Sequence, residues 1–105
     1  PTAHAEVMAI RKACSALGRS DLGGCTLYTS CEPCPMCAAA VYWARLDRVY
    51  YAVSHARAGT VGFDDAPIKE QLQQAPAERT IPMEQELADE GWEAFQTWAA
   101  LQDEK

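Results

Sequence analysis

Two short clusters of residues could do chemistry together. His4 and Glu6 stand in Thr2-Ala3-His4-Ala5-Glu6-Val7, and Cys34 and Cys37 stand in Pro33-Cys34-Pro35-Met36-Cys37. One imidazole and two thiols make three ligands for a soft or borderline metal ion. Three protein ligands are one short of a closed tetrahedron, and the open fourth position is what separates a catalytic zinc site from a structural one. The carboxylate two residues beyond the histidine is suited to moving protons rather than to filling the metal shell. The expected chemistry is therefore metal-assisted hydrolysis: Zn2+ on His4, Cys34 and Cys37, with Glu6 carrying protons between water, a substrate nitrogen and the leaving group.

Each cluster alone has a plainer reading. Cys34-x-x-Cys37 also fits a redox pair or half of a structural zinc site, and a single histidine is usually packed or solvated. The force of the pattern lies in the combination, each cluster opening a helix with a strand between them. Cys31 continues the three-residue step of Cys34 and Cys37, but one His, two Cys and water already fill four positions, so Cys31 is expected outside the ligand set. Cys14 and Cys25 read as small buried apolar residues.

The elements that must position these residues follow from periodicity. Thr2 is a candidate N-cap for a helix reaching Leu17, with Val7, Ile10, Cys14 and Leu17 on one face and Gly18 as its stop. His4 and Glu6 then fall in the first turn, where the positive end of the helix dipole favours a carboxylate. Residues 25–29 read as a short strand, and a helix over about 35–44 starts with Pro35, whose missing N–H costs nothing there. Cys34 and Cys37, three apart, point the same way. Val49 to Val53 read as a second strand covered on both faces. Ser54 to Asp65 read as a loop, with Asp65 as a candidate cap for a helix from about Pro67 to Gln74. Ile81 to Leu87 read as a third strand, and a last helix spans about Glu90 to Leu101 with Trp92, Phe95 and Trp98 on one face. Strand, crossover helix and strand make a parallel pair, which places the chain in the α/β class.

Composition narrows the function. The 105 residues fit one domain, spanning 1–105. The net charge of -6 disfavours broad binding to a nucleic-acid backbone and suits a small-molecule substrate. No apolar run approaches the roughly 20 residues that cross a bilayer. Five cysteines, an odd count, with a C-x-x-C beside proline point to metal in a reducing compartment, hence to a cytoplasmic protein. Pro1 stands three residues before the first ligand, and a site on a fraying end is poorly held, so a natural segment is expected to precede it.

The spacing His4-x-Glu6 with Pro33-Cys34-x-x-Cys37 is that of the zinc-dependent base deaminases. Pro1 to Val7 and the run Leu27 to Cys37 resemble the cytidine deaminase-like superfamily. Tyr42-Trp43-Ala44-Arg45, Gly62-Phe63-Asp64-Asp65, Glu78-Arg79-Thr80-Ile81-Pro82 and Phe95-Gln96-x-Trp98 resemble the bacterial guanine deaminases in particular. The resemblance implies a three-layer α/β/α fold on a mixed sheet, lacking here the family's N-terminal helix and hairpin. It implies conversion of guanine to xanthine, with Asp65 recognising the N–H groups of the base. Ala5, Ser30, Glu32 and Pro33 are expected to complete the substrate site. It also implies a homodimer that exchanges a C-terminal segment, about 87–105, carrying Trp92, Phe95 and Trp98; plain core packing is the other reading of those aromatics. Other nucleobase deaminases, of tRNA adenosine or of cytosine or pterins, remain alternatives, as does a non-catalytic zinc-binding fragment.

Overall fold

The computed structural model describes residues 1–103. In chain order these form α1 (Ala5–Leu17), β1 (Thr26–Cys31), α2 (Pro35–Ala44), β2 (Arg48–Val53), α3 (His55–Gly59), α4 (Ala66–Gln73), a 3-10 turn (Pro76–Glu78) and α5 (Ala88–Asp103). The chain divides into two compact units, Pro1–Glu70 and a second that begins at Gln71.

The first unit is built on β1 and β2, which pair in parallel with Thr26 opposite Arg48 and Cys31 opposite Val53. Pairing runs one residue further, since the Glu32 N–H donates to the Val53 carbonyl at 2.8 Å. The α/β class with a parallel pair is thus observed, and among the described residues the sheet has two strands, both parallel. The expectation that β2 is covered on both faces fails, because Tyr50 and Tyr51 are about half exposed. Tyr28 and Tyr50 instead stack on each other across the pair, ring centroids 5.5 Å apart.

Two turns fix the helices to the strands. Before β1, Leu22 is buried, its N–H donating to the Ala44 carbonyl at the end of α2. Asp47, just before β2, accepts from the Gly24 N–H with its carboxylate at 3.0 Å and donates its own N–H to Cys25. Both helices end on a left-handed residue, Gly18 after α1 and Arg45 after α2. Glycine adopts that conformation at no steric cost, whereas Arg45 is held in it by bonds to the Tyr42 and Val41 carbonyls. Among the described residues, Leu22, Cys37, Ala44 and Ala58 are the buried apolar ones. The consequence for function is that the carboxyl ends of two neighbouring strands deliver Glu32-Pro33-Cys34 and Ser54-His55 to one edge, where open α/β sheets place their sites.

The second unit joins the end of α4 to α5 through an irregular segment. Ile81 to Leu87 is not a strand, which corrects the reading from sequence. The Arg79 guanidinium donates to the Gln71 carbonyl at 3.0 Å, the Gln71 side chain accepts from the Thr80 N–H at 2.8 Å, and the Met83 N–H donates to Pro76. The last of these takes the Met83 N–H from any ladder, and Pro82 has no N–H to give one. On α5, Trp92, Phe95 and Trp98 are each about 60% exposed, at 59%, 65% and 62%. Trp92 and Phe95 stack at 6.1 Å. None of the described helices is long and apolar enough to cross a membrane.

Candidate active site

His4 is the N-cap of α1 rather than a residue inside it, and Thr2 is not the cap. The His4 carbonyl accepts the first helical bond, from Met8 at 3.0 Å, while its imidazole makes no capping bond. The ring is therefore available to face α2. There Cys34 is itself the N-cap, its sulfur accepting from the Cys37 N–H, with Pro35 opening the helix. One helix start thus presents a histidine nitrogen, and the other presents two sulfurs from successive turns.

The three donors meet. His4 Nδ1 lies 3.6 Å from Cys34 Sγ and 3.5 Å from Cys37 Sγ. Zn–N bonds of about 2.0–2.1 Å and Zn–S bonds of about 2.3 Å at tetrahedral angles put nitrogen and sulfur roughly 3.5 Å apart. The donor set thus has both the chemistry and the spacing of a zinc site. His4, Cys34 and Cys37 are the group of potential metal ligands among the described residues, their ligand atoms all within 4.8 Å of one another. Cys31 is not in that group.

Cys37 is fully buried, and its thiol is pushed up to about 12. Burial is the main cause, followed by the Glu6 carboxylate and Cys34 beside it. Glu6 also lines a cleft beside His4 and Cys34. A divalent cation at this point reverses the local preference, since a coordinating thiol is deprotonated outright.

A cleft of about 380 Å³ opens over the donors, lined among others by His4, Ala5, Glu6, Cys31, Glu32, Cys34, His55, Phe63 and Asp65. Of the residues expected to bind substrate, Ala5, Glu32 and Asp65 line it. Ser30 and Pro33 are not in its wall: Ser30 is exposed on β1, and Pro33 contributes its carbonyl behind the cleft, accepting from His55. Asp65 does not cap α4 with its side chain. The Asp64 carboxylate does so, accepting from the Ala66 N–H at 3.0 Å, and Asp65 supplies only its backbone carbonyl, to Ile68 and Lys69. The freed Asp65 side chain turns inward, and its Oδ2 is buried with no hydrogen-bond partner among the described residues. A buried acceptor without a donor is costly in a folded protein and marks a place where a ligand's N–H can bond.

Sequence reasoning missed α3 and with it His55. The available signal was Ser54, whose hydroxyl accepts from the Arg57 N–H in the manner of an N-cap, ahead of the helix formers Ala56 to Ala58. Five residues are too few for a periodic pattern to show.

Comparison with known proteins agrees with this geometry. Residues 1–53 match the cytidine and deoxycytidylate deaminase zinc-binding region. The whole chain is 51% identical to a guanine deaminase of Bacillus subtilis, of which it spans 67%. It superposes on a crystal structure of guanine deaminase from Bacillus subtilis with a TM-score of 0.90 at 53% identity, covering 95% of this chain and 64% of that one. A tRNA-specific adenosine deaminase of Agrobacterium fabrum is 52% identical over 60 residues, 57% of this chain and 40% of that protein. That likeness is confined to about half of the chain, whereas the guanine deaminase likeness continues through all of it. With its fold, its His-Cys-Cys donor set fit for Zn2+ and its zinc-binding region in agreement, the chain belongs to the cytidine and deoxycytidylate deaminase zinc-binding family and has the cytidine deaminase-like fold.

Proposed function

We propose that the protein is a zinc-dependent guanine deaminase, converting guanine and water to xanthine and ammonia. The observation that carries this reading is Asp65, its buried Oδ2 without a hydrogen bond among the described residues, in the wall of the cleft that Glu6 and the donors His4 and Cys34 also line. Guanine presents adjacent N–H donors along one edge, and a carboxylate is an acceptor-only group, so the two match. Adenine presents a ring lone pair at the corresponding place. The likeness to a guanine deaminase along the whole chain supports the same substrate.

His4, Cys34 and Cys37 would hold Zn2+, which supplies Lewis-acid activation of water. Asp65 fixes the base so that the carbon bearing the 2-amino group faces the metal donors. Glu6, in the first turn of α1, takes a proton from water and returns protons to the ring nitrogen and to the departing amine. Ala5 and Glu32 shape the cleft around the base.

The active form is a homodimer in which the C-terminal segment, about 87–105, is exchanged; residues 104–105 of it lie outside the described residues. The exposed apolar face of Trp92, Phe95 and Trp98 supports this, since contiguous exposed apolar residues mark interaction surfaces. The five cysteines are unpaired thiols, the state a reducing cytoplasm maintains.

Zinc analysis together with ammonia release from guanine, cytosine and an adenosine-containing tRNA tests the reading. Turnover of guanine at least a hundredfold above the other two is expected. Turnover of the tRNA instead would favour the reading suggested by the similar half-chain of the adenosine deaminases, and stoichiometric zinc with no turnover would leave a binding module.

A further inference from the structure

We propose that His55 is a positioning residue, a fixed-tautomer clamp that ties the segment before Cys34 to the Asp65 carboxylate and leaves that carboxylate an oxygen to spend on substrate. The inference deepens the proposed function, because it rests on Asp65 as the group that recognises the base.

Each side of the imidazole has a defined neighbour. Lys69, on α4, places Nζ 3.0 Å from His55 Nδ1. An ammonium can only donate, so Nδ1 accepts, and the ring hydrogen is assigned to Nε2. Nε2 lies 2.9 Å from the Pro33 carbonyl and 3.3 Å from Asp65 Oδ2. One N–H faces two acceptors, and the shorter contact takes it. The Pro33 carbonyl, immediately before the metal donor Cys34, is thereby pinned, and Asp65 Oδ2 keeps its lone pairs while lying against the ring edge. The backbone closes the arrangement: the His55 N–H donates to Glu32 Oε1 at 3.0 Å, and Glu32 Oε2 lies 3.6 Å from Nδ1.

The role assigned to His55 has a physical requirement. A base-binding carboxylate must be held without being saturated. An arginine beside Asp65 would take both of its oxygens in a bidentate bond. A neutral imidazole already committed to Pro33 holds the carboxylate by contact and takes neither. Supporting groups of this kind typically contribute 10- to 100-fold to affinity or activity around a metal site.

Two readouts on the zinc-loaded protein test the clamp. Long-range 1H–15N spectra, with His55 assigned by its loss in His55→Gln, are expected to show a neutral ring protonated at Nε2, and Lys69→Met is expected to abolish that fixed tautomer. Kinetically, the side-chain nitrogen of Gln reaches the Nε2 position and that of Asn the Nδ1 position. His55→Ala and His55→Asn are expected to lose about 10- to 100-fold in kcat/KM for guanine, with a raised KM and unchanged zinc content, and His55→Gln to recover to within about fivefold. A residue that merely supported folding would lower the zinc-loaded fraction and leave KM unmoved. A ring protonated at Nδ1, rescue by Asn as good as by Gln, or an Ala variant within threefold of the parent overturns the proposal. If the parent protein fails to turn over guanine, the substrate reading falls by itself, and the nitrogen spectra then decide for or against the clamp.

Discussion

Replacing Asp65 by Asn separates recognition of the base from support of the fold, and the structure sets the size of the effect. The side chain makes no capping bond, because Asp64 caps α4, so the substitution removes nothing that holds the helix. Its Oδ2 is buried without a hydrogen bond among the described residues, its near neighbour being the His55 ring edge at 3.3 Å, so its acceptor capacity is not used up within the chain. Hydrogen bonds to a charged group contribute about 1.5–3 kcal/mol, and a buried donor left facing another donor costs about 1–3 kcal/mol more. The sum, roughly 2.5–6 kcal/mol in transition-state binding, corresponds to a loss in kcat/KM for guanine on the order of 10² to 10⁴. Steady-state rates of ammonia release, with zinc content and thermal stability measured on the same preparations, give the comparison. Stability and zinc are expected to stay at parent values. If Asp65→Asn keeps kcat/KM within about threefold, under ~1 kcal/mol, the carboxylate does not bind the base, and the argument from the unpartnered oxygen fails.

Three further outcomes are expected. Glu6→Gln retains one zinc per chain and loses kcat by about 10²–10⁴, the range for lost acid–base catalysis; retention of a tenth of the parent rate removes Glu6 from proton transfer. In zinc-free protein the Cys37 thiol is raised from 9.0 to about 12, so the stability due to its neutral form is present below pH 9.0 and is lost as pH rises toward 12; alkaline unfolding curves should show this loss, with a smaller one once zinc is bound. Trp98→Glu moves the sedimenting species from dimer to monomer at micromolar concentration and lowers activity in step, whereas a fully active monomeric parent would refute the exchanged segment.

What sequence made legible was local. Pro33-Cys34-Pro35 placed the start of α2, and Pro35–Ala44 is observed where periodicity and the proline put it. The donor set was legible because H-x-E and C-x-x-C each sit at a helix start, where capping fixes the direction of the side chains. Boundaries that depend on partners shifted. β1 runs to Cys31, later than expected, because parallel pairing with β2 carries it on toward Glu32. Ile81 to Leu87 reads as a strand although Glu84 and Glu86 interrupt it; Arg79 and Gln71 bind its approach instead, and the Met83 N–H is tied back to Pro76. The Asp64-Asp65 pair could not be apportioned from sequence, since either can cap; only the fold shows that Asp64 caps and Asp65 turns inward. His55 was invisible for the same reason, its partners Glu32, Pro33 and Lys69 lying 23, 22 and 14 positions away along the chain.

The buried thiol explains why the donors belong to two helix starts rather than one. Burial, Glu6 and Cys34 all hold the proton on Cys37, so by themselves they oppose the thiolate that a metal needs. A helix N-terminus pulls the other way, since its unpaired N–H groups and dipole favour negative sulfur. α2 supplies this directly, through the Cys37 N–H donated to Cys34 Sγ. α1 supplies the histidine from its cap position, a neutral ligand that adds no further negative charge to the pair. The carboxylate of Glu6, in the first turn of α1, then sits where negative charge is tolerated by the helix but is unfavourable beside sulfur. A divalent cation held by His4, Cys34 and Cys37 would resolve that conflict, and the proposed role of Glu6 in moving protons requires it to stay this close to the donors. Moving Glu6 further along α1 would relieve the repulsion and remove it from the reacting atoms.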